Sequence, residues 1–223
     1  MTELARQRPP DTMRCGGQEA AKRASDVLGS LAGIIALAPL LAVLWCLVRW
    51  TSAGPALYRQ ERLGRNKRPF TLVKFRTMYV NNDDRIHRQY VTSLLSGDQA
   101  PTGGQRGLYK LENDPRITAV GSWLRRYSLD ELPQLFNVLI GEMSLVGPRP
   151  VLAWEAEMFR GPDHQRFEVK PGITGLWQVS GRSRLSYLDQ LELDVEYVRR
   201  RSFGLDLAIL VGTVPALFRR GTA

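Results

Sequence analysis

The sequence predicts a fold of the α/β class, in its helix-rich α+β form: a compact cytoplasmic domain with a small sheet, anchored by a proline-broken re-entrant membrane helix. Three observations carry this. A run from Val27 to Val48 holds no charged residue. Two short apolar segments around a basic turn alternate as strands do, and several longer segments repeat their apolar residues at helical spacing. Residues 1–20 are polar, rich in Arg, Pro and Gly, and are expected to form a disordered basic tail; residues 21–50 form the membrane element and 51–223 one globular domain.

The 22 residues of the apolar run are long enough to cross a bilayer core, which needs about 20. Pro39 lies inside it, where its missing N–H and its ring disturb the turn that begins at Ile35. Arg14, Lys22 and Arg23 precede the run, and Arg49, Arg59 and Arg62 follow it. Basic flanks belong on the cytoplasmic side, and here both qualify. A helix that enters, breaks at Pro39 and returns satisfies both, with arms of roughly 15–18 Å. A kinked single span, a secretory signal and a buried core helix are the competing readings.

Residues 56–60 and 70–78 then read as two strands of an approximate hairpin around Gly64–Arg68. A polar helix is expected over 81–92, a loop over 96–107, and a helix from Asp114 that carries Trp123 and Leu124. Val151–Phe159 reads as helix, Lys170–Gly175 as a turn-rich loop and Leu176–Val179 as a short strand. Tyr187, Leu188, Leu191, Val195 and Val198 mark one face of a helix. Leu205–Phe218 is too short to span and is expected either to lie in the membrane interface or to be a core helix.

With 31 basic against 22 acidic residues the chain carries +9, which points to an anionic partner. Beside an apolar run, anionic membrane lipids and phosphorylated substrates suit that charge better than nucleic acid. Two cysteines and two histidines leave almost no material for a zinc site or a histidine triad.

The richest local signal is Ser128-Leu129-Asp130-Glu131-Leu132-Pro133. Ser128 and Glu131 have capping-box spacing, with Leu132, Leu135, Phe136 and Leu139 following at helical intervals. Asp130 and Glu131 would lie in a first turn, where backbone N–H groups favour negative charge and can also hold a phosphate. Arg125 and Arg126 stand upstream, and Arg149 sits between Pro148 and Pro150. Paired carboxylates among arginines suggest a nucleophile and a metal ligand acting on a phosphate ester. The plain alternative is a capped helix with solvated charges.

Lys-Phe-Arg-Thr-Met (74–78), Ser-Leu-Asp-Glu-Leu-Pro-Gln-Leu-Phe-Asn-Val (128–138), Met-Ser-Leu-Val-Gly-Pro-Arg-Pro (143–150), Pro-Gly-Ile-Thr-Gly (171–175) and Gly-Arg (181–182) occur in this order. Together they resemble the bacterial sugar transferases, the monotopic phosphoglycosyl transferases, over about residues 20 to 220. With no multi-span extension ahead of the apolar run, the likeness is to the small members. The resemblance implies transfer of a phospho-sugar from a UDP-sugar to a polyprenyl (undecaprenyl) phosphate. The products would be a polyprenyl-diphospho-sugar and UMP, formed through an aspartyl-phosphosugar intermediate at the inner face of the cytoplasmic membrane. This would be the first membrane step of glycoconjugate or exopolysaccharide assembly, with 51–223 as catalytic domain. By the same resemblance Asp130 is the nucleophile, Glu131 its partner, and both stand near Mg²⁺. Arg125 and Arg149 match phosphate-binding positions, and Arg182 matches a nucleotide-binding one. Ala38 departs from the pattern, where a Ser often precedes the membrane-helix proline. A non-enzymatic basic membrane-surface module and a membrane nucleotide-sugar hydrolase are the rival functions.

Overall fold

A computed structural model describes residues 12–80, 92, 114–181 and 185–218. The loop expected over 96–107 and, apart from Thr92, the helix expected over 81–92 lie outside the described residues.

One helix, α1 (Thr12–Thr51), occupies the place of the expected hairpin and runs through Pro39 without interruption. Residues 12–20 belong to it too, so the tail expected over 1–20 is helical from Thr12. Packing explains both departures. Arg23, Asp26, Ser30, Gly33, Leu37, Leu41, Leu44 and Val48 are buried or half-buried, at steps of three and four that stay in phase across the proline. One face of α1 thus rests on the globular domain on both sides of Pro39, and those contacts offset the lost hydrogen bond. At one end Lys22 Nζ donates to Asp206 Oδ2 at 2.6 Å and to the Val146 carbonyl at 3.1 Å. At the other, Leu44 and Val48 pack with Ala56, Phe75 and Leu124. A spanning helix would separate Lys22 from Val48 by roughly 39 Å across the bilayer. Here both ends rest on one body, Lys22 against Asp206 and Val48 against Phe75 and Leu124. The opposite face is apolar and open: Leu28, Ile35, Val43 and Trp50 are 62–82% exposed.

β1 (Leu57–Leu63) and β2 (Pro69–Phe75) form the expected antiparallel hairpin, with Leu57 opposite Phe75 and Leu63 opposite Pro69. Phe70 and Leu72 pack on Val138 and Met143, fastening β2 to the domain. α2 (Ala119–Arg126) follows, capped by Thr118 Oγ1, which accepts from the Gly121 amide at 2.9 Å. A 3₁₀ turn (Leu129–Glu131) leads to α3 (Gln134–Ile140). β3 (Ser144–Val146) pairs in parallel with β4 (Gly172–Thr174). Between them come α4 (Ala153–Glu157) and a 3₁₀ segment (Gly161–Glu168). Leu176–Val179, expected as strand, lies in a helix, α5 (Leu176–Ser180). Four residues, three of them apolar, are too few to show a period, so their sequence alone did not separate the two.

α6 (Tyr187–Arg200) opens on a capping box, Ser186 with Asp189. α7 (Phe203–Phe218) buries Asp206 and Ile209 and leaves Phe203, Leu207, Val211 and Val214 more than half exposed. It is therefore neither a core helix nor a span, but a half-embedded one with an apolar outer face. Tyr197 Oη donates to Asp206 Oδ1 at 2.7 Å, so α6, α7 and α1 meet at that carboxylate.

One ion pair is fully enclosed. Arg166 Nη2 donates to Asp194 Oδ2 and to the Arg149 carbonyl, both at 2.7 Å. Burial pushes the Asp194 carboxyl up to about 6, with Arg166 opposing the rise. Its folded state holds the proton more tightly than the unfolded one, so this group disfavours folding progressively as pH rises through that value. Arg166→Met should therefore cost about 3–5 kcal/mol at pH 7, a melting temperature lower by roughly 6–20 °C, because Asp194 is left buried and uncompensated. The deficit should shrink when the melts are repeated at pH 5.

Candidate active site

Asp130 is buried in the turn between α2 and α3. The turn is not a capping box. Ser128 takes a left-handed conformation (φ 55°) and its side chain makes no capping bond. The amides of Glu131 and Leu132 are spent on the carbonyls of Ser128 and Leu129. These two amides are thus committed internally. What fixes the turn is Asn137. Its Oδ1 accepts from the Val73 amide at 3.1 Å, and its Nδ2 donates to the Thr71 carbonyl at 2.7 Å. This buried amide joins α3 to the edge of β2 and brings Asp130 beside Lys74.

Lys74 reports its surroundings. Its ammonium is held down at about 8, chiefly by burial and then by Arg62, with Arg125 and Arg149 adding to the effect and Asp130 opposing it. Arg125 senses the same neighbourhood: burial lowers its pKa, Asp130 and Asp114 raise it, and Arg149 lowers it. Asp130 therefore acts on both Lys74 and Arg125, and Arg62 and Arg149 crowd the same lysine.

Arg149 is placed by a close crossing of two backbones. A Cβ on Gly172 would come within 2.1 Å of the Gly147 amide, and one on Gly147 within 2.5 Å of the Lys170 carbonyl. Only hydrogen fits at either point. The Gly147 amide donates to the Thr174 carbonyl and the Gly172 amide to the Pro148 carbonyl, each at 2.9 Å. The motifs at 147–150 and 171–175 are thus two halves of one structure that ends at Arg149. Arg62 is held by Gln60 Oε1 at 2.7 Å, by the Pro150 carbonyl at 3.3 Å and beside Glu155 at 3.7 Å.

Arg62, Lys74, Glu131, Gln134 and Arg149 line an open cleft of about 380 Å³. Cationic walls beside paired carboxylates suit a dianionic phosphate ester with a metal ion. Among the described residues no three or more His, Cys, Asp or Glu side chains cluster to hold a metal. Asp130 and Glu131 are adjacent carboxylates of the kind that would hold a Mg²⁺, an ion that in phosphate sites usually needs only one or two of them from the protein. Asp130, Glu131, Arg125 and Arg149 are brought together as their sequence suggests. Arg182 lies outside the described residues, and Pro39 lies in α1. Arg62 and Lys74 were missed as site residues. Arg62 reads in sequence as a membrane flank, while Lys74 had a signal, its place in the Lys-Phe-Arg-Thr-Met motif.

Lys74 sets a pH limit. Below about pH 8 it is charged in the free enzyme, and above that value the cleft loses one cation. Because kcat/KM reports free-enzyme groups, kcat/KM for an anionic donor should fall above about pH 8. Lys74→Met should lower it throughout and erase that limb, as a pH–rate profile would read.

A family model described as bacterial sugar transferase matches residues 17–220. The chain is 42% identical over 196 residues to the exopolysaccharide production protein ExoY of Sinorhizobium fredii, covering 88% of this chain and 84% of that one. It is 42% identical over 202 residues to the undecaprenyl-phosphate galactose phosphotransferase of Salmonella typhimurium, covering 91% and 41%. It is 36% identical over 212 residues to the UDP-glucose:undecaprenyl-phosphate glucose-1-phosphate transferase of Escherichia coli, covering 92% and 41%. The chain thus spans most of the first protein and about two-fifths of the other two.

Proposed function

Because this chain belongs to the bacterial sugar transferase family, we propose that it is an enzyme that transfers a sugar phosphate from a UDP-sugar to polyprenyl phosphate, giving a polyprenyl-diphospho-sugar and UMP. One observation carries this reading: the buried Asp130 acts on Lys74 and Arg125, and Lys74 lines a cleft together with Arg62, Arg149 and Glu131. The relatives from Salmonella typhimurium and Escherichia coli are named for undecaprenyl phosphate as acceptor, and that lipid is the acceptor we assign here. As in the protein named ExoY, the product would feed exopolysaccharide assembly.

In this mechanism an Asp130 carboxylate oxygen bonds to the sugar-bearing phosphorus. The bond from that phosphorus to the bridging oxygen breaks, and its electron pair leaves with UMP. A phosphate oxygen of the polyprenyl acceptor then attacks the same phosphorus and restores the Asp130 carboxylate. Two displacements replace one, and no water is consumed. Lys74, Arg125 and Arg149 meet the charge on the phosphoryl oxygens from fixed positions. Asp130 and Glu131 would hold a Mg²⁺, which supplies further charge compensation when bound. By family resemblance Arg182 contacts the nucleotide.

The outer faces of α1 and α7 are apolar beyond what a soluble surface normally shows. They would seat the enzyme monotopically on the inner face of the cytoplasmic membrane, with basic flanks against anionic lipids. A panel of UDP-sugars, assayed for UMP with undecaprenyl phosphate in micelles, tests the reading. UMP should form in step with lipid-linked sugar, from one donor above the rest. Sustained UMP release without acceptor would mean a hydrolase, and no release from any donor would favour a binding module.

A further inference from the structure

A second hollow opens beside the polar cleft. It is an open, mostly apolar hollow. Its walls are Leu132 from the end of the Asp130 turn, Ile173 from β4, Val179 from α5 and Ala216 from α7. Two of its hydroxyls are already satisfied: Thr213 Oγ1 lies 2.7 Å from Thr174 Oγ1 and donates to the Ile209 carbonyl at 2.7 Å. Glu131, Ile173 and Gln178 line both hollows, so the two meet at the carboxylate pair. Among the described residues, the only charged one lining the second hollow is Glu131 itself, while Arg62, Lys74 and Arg149 line the first. Beyond its far wall lies the exposed apolar face of α7, with Val211 and Val214.

We propose that this hollow seats the first isoprene units of the acceptor lipid, with the lipid phosphate at the Glu131 junction and the rest of the chain leaving past α7 into the bilayer. The proposal rests on the transferase reading and adds to it a separate entrance for each substrate. The ligand's chemistry matches the division of the site. A prenyl phosphate is an apolar chain ending in a dianion, and the two hollows form an apolar slot that ends at cations. The polar side chains of the second hollow include Glu131 and Gln178, which it shares with the polar cleft, and Ser128. Against its apolar walls a nucleotide or a hexose would leave most of its hydroxyl and amide groups without partners. In the polar cleft the same groups find charged and polar side chains. Donor and acceptor then approach Asp130 from different sides.

The test uses the full chain in detergent micelles and a farnesyl phosphate that carries a diazirine on its first isoprene unit. After photolysis and digestion, label is expected in the segments that hold Val179 and Ala216. Val179→Trp should fill the slot and reduce that labelling about tenfold, a loss of ~1.4 kcal/mol in binding, with the melting temperature kept. If that variant does not fold, Ala216→Phe narrows the opposite wall and should act alike. Label confined to Leu28, Ile35 or Val211 on the outer faces would overturn the proposal. So would unchanged labelling in a folded filled-slot variant. The photolabel reads binding without turnover: labelled walls in a protein that releases no UMP would defeat the transferase reading and leave the prenyl slot standing.

Discussion

Asp130→Asn will leave the enzyme without measurable transfer, a loss of at least about 10⁴-fold, equivalent to ~5 kcal/mol of barrier. An amide nitrogen or its carbonyl oxygen cannot replace a carboxylate that must form and then break a bond to phosphorus. Incubated without acceptor, wild type should retain label from a UDP-sugar radiolabelled at the sugar-bearing phosphate, and the variant should retain none. A side effect has to be separated from this. Asp130 is the group that raises the Lys74 pKa against three arginines, so its neutralisation will lower that pKa further and remove a second charge near neutrality. Assays at pH 6 keep Lys74 protonated more fully. If the variant recovers substantial turnover there, Asp130 acts through Lys74 and not as the nucleophile.

Glu131→Gln should slow the reaction by about 10²–10³-fold, or ~3–4 kcal/mol, and should raise the Mg²⁺ concentration needed for half-maximal rate. Its stability cost should be small. A capping box would have tied Glu131 to helix stability by about 1 kcal/mol, but the Ser128 turn makes no such bond. Melts run beside the activity assay separate catalysis from folding at this position. A melting temperature that fell in step with the activity would return Glu131 to a structural role.

Much of the fold was legible because it depends on local pattern. The alternation on both sides of Gly64–Arg68 gave the hairpin, and the spacing from Tyr187 to Val198 gave α6. The failures are places where distant contacts decide. Pro39 should break a helix, yet residues from 138 to 206 hold α1 along one face. Ser128 and Glu131 have the spacing of a cap, but the chain must turn sharply to bring Asp130 over β2, and a left-handed residue does that where a cap would not. In the site, Asp130, Glu131, Arg125 and Arg149 stand in short motifs and could be named. Arg62 could not, since its contacts with Pro150 and Glu155 lie 88 and more residues away.

The contact between Arg23 and α3 has a consequence for how the protein is made. Arg23 donates to the carbonyls of Val138 and Leu139, both at 2.7 Å, across 115 and 116 residues of chain. At translation rates of about 5–20 residues per second, α1 leaves the ribosome roughly 6–23 s before the carbonyls it will bind exist. During that interval its charged and polar stripe of Arg23, Asp26 and Ser30 has no partner from the domain, while its apolar face can already reach lipid. α1 therefore exists before the groups that will hold its polar stripe, and the domain can close on it only once synthesis has passed Leu139.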